Sequence, residues 1–273
     1  MDNIFSLQDR VAIITGGAGL LGQKHAEAIA HQGGIPILVD LESSNPESKA
    51  GVLAKKYDVD ATGYITDITK PDQVQRLLDS ILEHYNRIDI LINNAANNPK
   101  VEAGLGQAWS RLENFPMDIW EKDISVGLTG AFLCSQIIGS ELARNKKGVI
   151  VNIASDLAVI APDQRLYRHE GVPDNFQAVK PVTYSVVKTG LIGLTRYLAT
   201  YWADYGVRVN AISPGGVYNK QPDEFVQRIN KLIPLARMAD VSEYQGAIIF
   251  LCSDASSYMT GFNLVIDGGR SSW

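Results

Sequence analysis

Val11-Ala-Ile-Ile-Thr-Gly-Gly-Ala-Gly-Leu-Leu-Gly22 leads an apolar run of strand length into Gly16, Gly19 and Gly22, and then into an amphipathic segment. Three glycines between a buried strand and a helix meet three physical needs: a tight turn, a close approach of backbone to a pyrophosphate, and close packing of the helix. The helix N-terminus adds N–H donors and the positive end of its dipole, so the stretch predicts a dinucleotide-binding turn inside a βαβ unit. A purely structural turn is the other reading.

Outward from this turn, apolar runs of four to six residues alternate with longer amphipathic segments, the pattern of repeated βαβ units and a parallel sheet. Strands are expected at 11–14, 35–39, 61–65, 88–92, 149–153, 207–212 and 263–266, with helices at 20–31, 71–85, 117–144, 182–205 and 241–253. Pro71 suits a first helical turn, and Asp118 and Asp240 suit helix starts. Two Pro-bearing stretches, 97–116 and 162–181, break the alternation after the fourth and fifth strands. That edge of an open parallel sheet is where ligands bind, so both are candidate substrate loops as well as candidate surface decoration. No repeat or linker divides residues 1–273, which read as one domain with an inserted loop at about 162–181.

Composition narrows the partners. The chain is 45% apolar and 20% charged with a net charge of −5, which argues against nucleic-acid binding through a basic stripe. Arg144, Lys146 and Lys147 form the clearest basic cluster, at the end of an expected helix where positive charge complements the dipole. No apolar run approaches the ~20 residues that span a bilayer, and the N-terminus has no secretory pattern, so a cytoplasmic protein without membrane contact is expected. Cys134 and Cys252 lie in apolar helical surroundings without metal-ligand spacing and read as buried thiols; no metal site is expected. His25, His31 and His84 read as helix-surface or packing residues.

Asp40, just beyond the second strand, stands where a carboxylate would accept from an adenosine ribose and repel a 2′-phosphate, which favours NAD over NADP. Its alternative role is to bind loop N–H groups. Further along, Tyr184 and Lys188 in Pro181-Val-Thr-Tyr-Ser-Val-Val-Lys are four apart, so on a helix they share a face. A neighbouring ammonium favours the phenolate, and the spacing predicts a tyrosine lowered from ~10 towards the working pH. Together with the glycine turn, this points to hydride transfer coupled to proton transfer at an alcohol or carbonyl.

With these residues in place, nearly the whole chain resembles the short-chain dehydrogenase/reductase family. The resemblance rests on the glycine turn, Asp67 after the third strand, Asn93-Asn-Ala-Ala96, Ile150-Val-Asn-Ile-Ala-Ser155, Tyr184-Ser-Val-Val-Lys188, Arg208-Val-Asn-Ala-Ile-Ser-Pro-Gly215 and Thr260-Gly-Phe-Asn-Leu-Val-Ile-Asp-Gly-Gly269. It implies a Rossmann-like, doubly wound, seven-stranded parallel sheet and a homodimer or homotetramer. It implies Tyr184 as acid/base, Lys188 as the group that lowers its pKa and holds the nicotinamide ribose, and Ser155 as the donor to the substrate oxygen. It also implies an NAD cleft formed by Gly16, Gly19, Leu20, Leu21, Gly22, Asp40, Asp67 and Ile68, with Asn94, Ala95, Ala96, Tyr184, Lys188, Pro214, Gly215 and Val217.

Three departures stand out. The glycine spacing resembles that of the longer branch of the family, which handles nucleotide sugars. Gly127 stands where the family commonly has a tetrad asparagine, which puts the proton relay behind Lys188 in doubt. Ser155 and Tyr184 are separated by 29 positions, widened by the inserted loop, whose Arg165, Arg168 and His169 are the candidate substrate contacts. The glycine turn and this loop are similar to oxidoreductases of surface-sugar, nonulosonate and flagellin-modification pathways. The resulting expectation is an NAD-dependent oxidoreductase of a small secondary alcohol or ketone, of a sugar or sugar derivative. Nucleotide-sugar epimerase or dehydratase chemistry and a non-catalytic NAD-binding sensor are the alternatives.

Overall fold

The computed structural model describes residues 3–97 and 109–273. Seven strands form one parallel sheet: β1 Val11–Thr15, β2 Ile35–Asp40, β3 Thr62–Ile65, β4 Ile90–Asn93, β5 Gly148–Ile153, β6 Val207–Pro214 and β7 Asn263–Ile266, in the order β3-β2-β1-β4-β5-β6-β7. The order reverses between β1 and β4, and a crevice opens there beyond the strand C-termini.

Burial on both faces explains the continuous apolar runs, since a parallel sheet covered on two sides has no solvent face to alternate with. Along β1, Val11 and Ile13 point to one face and Ala12 and Ile14 to the other, all fully buried. The first face packs against α3 Pro71–Tyr85, α5 Gly130–Arg144 and α6 Val182–Tyr201 through Val74, Leu77, Ile81, Ile138, Leu142 and Leu198. The second packs against α1 Leu20–His31, α2 Pro46–Tyr57 and α8 Gln245–Cys252 through Ala26, Ile29, Leu53, Ile248 and Leu251.

Helices α1 and α3 match their expected bounds. The expected helix 117–144 is α4 Met117–Ile124, a π-helical segment Ser125–Thr129, and α5 in continuous succession. This 28-residue run is long and apolar enough to cross a membrane by length and composition, but 61% of its most apolar window is buried inside the fold, where it serves as a core helix. The expected helix 182–205 ends at Tyr201 and continues as the short turn Ala203–Tyr205, while 241–253 contracts to α8. Two helices absent from the sequence reading are α2 and α7 Asp223–Asn230.

The inserted loop is ordered by side-chain bonds. Gln177, buried, accepts from His169 N and donates to the carbonyls of His169 and Val172. Leu166 packs with Ile229, Ile233 and Met238, which clamps the loop to α7. Of the other candidate loop, 98–108 lies outside the described residues.

Candidate active site

The glycine turn is built as its residue types require. Gly16 has φ +61°, and a Cβ on Gly22 would come within 2.1 Å of the Gly16 carbonyl oxygen, a contact no side chain tolerates. Gly19 precedes α1 with no side-chain cap, so the orphan N–H groups of the first turn remain available to an anion. Asn94 donates to the carbonyls of Thr15 and Gly16, and the backbone N–H groups of Asn94 and Ala95 both donate to Thr15 Oγ1, which ties the turn to the end of β4.

A cavity of about 790 Å³ extends from this turn across the switch point. Of the residues expected to hold a dinucleotide, Gly22 alone is absent from its wall; its part is the packing contact just described. Asp40 lines the end of the cavity beside the glycine turn, where its carboxylate accepts from Ala18 N at 3.1 Å and Leu41 N at 2.8 Å. It therefore performs the loop-binding role and still borders the cavity. Asp67 accepts from Thr69 N and Oγ1. The fold also brings a cation to the glycine turn, Lys49 of α2, with Nζ 2.7 Å from the Ala18 carbonyl. A cradle of glycine backbone, uncapped helix N–H groups and an acceptor at the far end fits a dinucleotide.

At the other end of the cavity, β5 delivers Ser155 and α6 delivers Tyr184 and Lys188. Tyr184 Oη lies 3.4 Å from Ser155 Oγ, and Lys188 Nζ donates to the Ile153 carbonyl at 2.7 Å. Ser155 Oγ also accepts from Leu157 N and donates to Asp156 Oδ1 at 2.9 Å. Asp156 is 3% exposed and pairs with Arg270, 8% exposed, at 2.8 Å. Asp156 and Arg270 were not foreseen as site residues, and the one available signal was adjacency to Ser155 and to Gly269.

The electrostatics reverse one expectation. Burial holds the Tyr184 phenol above its ordinary value, and Asp156 pushes the same way, against the hydrogen bond with Ser155. Lys188 Nζ donates to the Ile153 carbonyl and stands 5.9 Å from the ring centroid. Burial, joined by the charge of Lys180, pushes Lys188 itself down to about 8. Gly127 lies inside the π-helical segment, and a Cβ there would meet Val187 Cγ1 at 2.6 Å. The valine occupies the space a side chain at 127 would need.

A family model described as short chain dehydrogenase matches residues 10–167, and one described as Enoyl-(Acyl carrier protein) reductase matches residues 174–271. The chain belongs to the short-chain dehydrogenase/reductase family. It is a nicotinamide-dependent oxidoreductase of alcohols or ketones. It is 33% identical to an NAD-dependent glycerol dehydrogenase of Listeria innocua, over 98% of this chain and 96% of the relative. It is 32% identical to a D-threitol dehydrogenase of Mycolicibacterium smegmatis, over 98% and 95%. A gluconate 5-dehydrogenase from Burkholderia cenocepacia, solved with NADP and tartrate, superposes with a TM-score of 0.85 at 26% identity, covering 99% of this chain and 98% of that one. These relatives lend no support to the surface-sugar subgroup suggested by the glycine spacing and the loop.

Within the family frame, the three candidate substrate contacts of the inserted loop stand off the cavity wall. Arg165 pairs with Asp163 and its side chain is 78% exposed. Arg168 borders a separate depression with Arg111 and Gln164, and the exposed His169 is held through its backbone by Gln177. The loop residues that do line the cavity are Tyr167 and Lys180. Cys134 and Cys252 are buried free thiols, pushed up to about 12 by burial.

Proposed function

We propose that this enzyme interconverts a secondary hydroxyl and a ketone on a small polyol or sugar-derived substrate, with NAD preferred over NADP. The observation that carries the reading is the convergence of Ser155 and Tyr184 hydroxyls in one cavity whose opposite end is bordered by Asp40. The names of the glycerol and threitol dehydrogenases support the substrate class. The NAD preference rests on the Asp40 carboxylate, which would repel a 2′-phosphate; cofactor use among relatives is mixed.

In the oxidising direction, Ser155 Oγ holds the substrate oxygen and Tyr184, as phenolate, takes the hydroxyl proton while the carbinol C–H bond breaks. Bound NAD supplies the acceptor for the hydride. Lys188, anchored on the Ile153 carbonyl, fixes the floor of the cavity below Tyr184. For Ser155 to donate to substrate its single proton must leave Asp156, which would then be held by Arg270 and Leu157 N. We also infer a homodimer or homotetramer, supported by the exposed, stacked Tyr197 and Tyr201 of α6, ring centroids 5.6 Å apart.

Tyr184→Phe tests the mechanism, because it keeps the ring and deletes the acid. The expected result across a panel of polyols is a loss of ~10²- to 10⁴-fold in kcat/KM, with NADH binding by fluorescence retained. Undiminished turnover rejects the mechanism.

A further inference from the structure

Lys180 is a further cation at the site, outside the Tyr184 to Lys188 pattern. Lys180 Nζ sits 3.7 Å from the centroid of the Tyr184 ring, well inside the 5.9 Å of Lys188. Its place is fixed from both sides. The backbone N–H of Lys180 donates to Gln164 Oε1 at 2.8 Å, that of Val179 donates to Ser110 Oγ at 3.1 Å, and the buried Pro181, the N-cap of α6, follows immediately. The inserted loop that widens the interval between Ser155 and Tyr184 thus delivers an amine to the face of the phenol.

A cation on a ring face is attracted by the π electrons, and far more strongly once the ring carries the charge of a phenolate. We propose that Lys180 is a positioning residue for the dehydrogenase reaction proposed above, its ammonium on the Tyr184 ring stabilising the phenolate that accepts the alcohol proton. The substrate proton ends on Tyr184 Oη. The ionisable groups around the pair are Lys188 on α6, Asp156 after β5, Asp123 on α4, Tyr167 in the inserted loop and Arg270 near the C-terminus. Burial lowers Lys180 to about 8, opposed by Asp156 and Asp123, which both favour its charged form. Burial and Asp156 raise Tyr184, so a cation on the ring counters the two influences that most oppose the phenolate.

Two readouts on the full-length protein test this. The first is the pH profile of kcat/KM for alcohol oxidation in the wild type, Lys180→Met and Lys180→Arg. An opposite charge at this range moves a pKa by about 1–3 units, so Lys180→Met should move the acidic limb to higher pH by at least about one unit and lower kcat/KM about tenfold below it. Lys180→Arg should restore the limb. A limb that stays in place, with the loss confined to KM, makes Lys180 a substrate contact and overturns the proposal. The second readout needs no substrate: the ultraviolet titration of tyrosinate, with Tyr184→Phe as the reference that assigns the Tyr184 contribution. An upward shift of that contribution in Lys180→Met supports the proposal even if no polyol is turned over, which would count against the proposed function alone. An unshifted titration overturns the proposal even if the polyol activity is confirmed.

Discussion

Replacing Gly127 by alanine sets two effects of known sign against each other. Alanine is favoured over glycine in a helix interior by about 1 kcal/mol, so an unobstructed helical position would be stabilised. At 127 the added Cβ would lie 2.6 Å from Val187 Cγ1, and Val187 is 5% exposed. A valine on a helix has one strongly preferred rotamer, so it cannot swing aside at little cost. Overpacking of this kind destabilises by roughly 1–3 kcal/mol, which leaves Gly127→Ala destabilised by about 1 kcal/mol after the propensity gain. The decisive measurement is a double-mutant cycle by denaturant unfolding at one protein concentration. Val187→Ala alone should destabilise through the cavity it leaves, whereas Gly127→Ala added to it should stabilise by up to about 1 kcal/mol, since the obstructing methyl is gone. If Gly127→Ala stabilises the protein equally with and without Val187, the contact is not what requires glycine. The same crowding bears on catalysis: Gly127→Asn should lose stability without gaining turnover, because the amide would be driven against Val187.

Two further outcomes follow from buried or cavity-lining charge. His25 is fully buried with both ring nitrogens unpartnered, and burial pushes it from 6.5 down to about 4. Its folded value lies below its unfolded one, so the neutral form's stability is complete above pH 6.5 and is lost as the pH falls towards 4; the loss totals ~3 kcal/mol at about 1.4 kcal/mol per pH unit. His25→Leu should flatten the stability profile between pH 6.5 and 4 in thermal unfolding, and a profile as steep as wild type would show that another group carries the acid loss. Asp40→Ala should reduce the NAD to NADP ratio of kcat/KM by about tenfold or more, as expected when a repulsive carboxylate is removed. An unchanged ratio would mean that Asp40 only holds the Ala18 and Leu41 amides.

The elements that could be read from the sequence were those whose signal is local. Leu20–His31 and Pro71–Tyr85 are bounded by the glycine turn and by Pro71, and the strands announce themselves as short apolar runs because both faces of the sheet are covered. Helix α2 went unseen because only Pro46, Ala50 and Leu53 are buried, too few for an apolar stripe. Helix α7 has eight residues, and it exists through tertiary partners: Ile229 packs with Leu166 of the inserted loop and Met238 beyond the helix. At the site, Tyr184 and Lys188 stand out because they are four apart, and Ser155 because it ends an apolar strand run. Asp156 and Arg270 are 114 positions apart, and nothing in either neighbourhood announces their pairing. The charges of the inserted loop were legible as a group, but which of them turns inward was not. Arg165 satisfies itself locally with Asp163, two residues away, whereas Lys180, just before the N-cap Pro181 of α6, lies over the Tyr184 ring.

These placements give the departures from the family pattern a common physical sense. A buried phenol with an aspartate nearby resists ionising, and Lys188 spends its Nζ on the Ile153 carbonyl. On the α5 side, Val187 fills the space beside Gly127, so that side offers no polar side chain at position 127. On the opposite side, the inserted loop brings in Lys180, and the C-terminal turn brings in Arg270 to pair with Asp156. The carboxylate beside Ser155 is paired with that guanidinium and accepts from the serine hydroxyl. Lys180 and Arg270 thus reach the cavity from the inserted loop and the C-terminal turn, alongside Lys122 of α4. Changes in the loop should consequently alter the acid/base behaviour of Tyr184 as well as the choice of substrate.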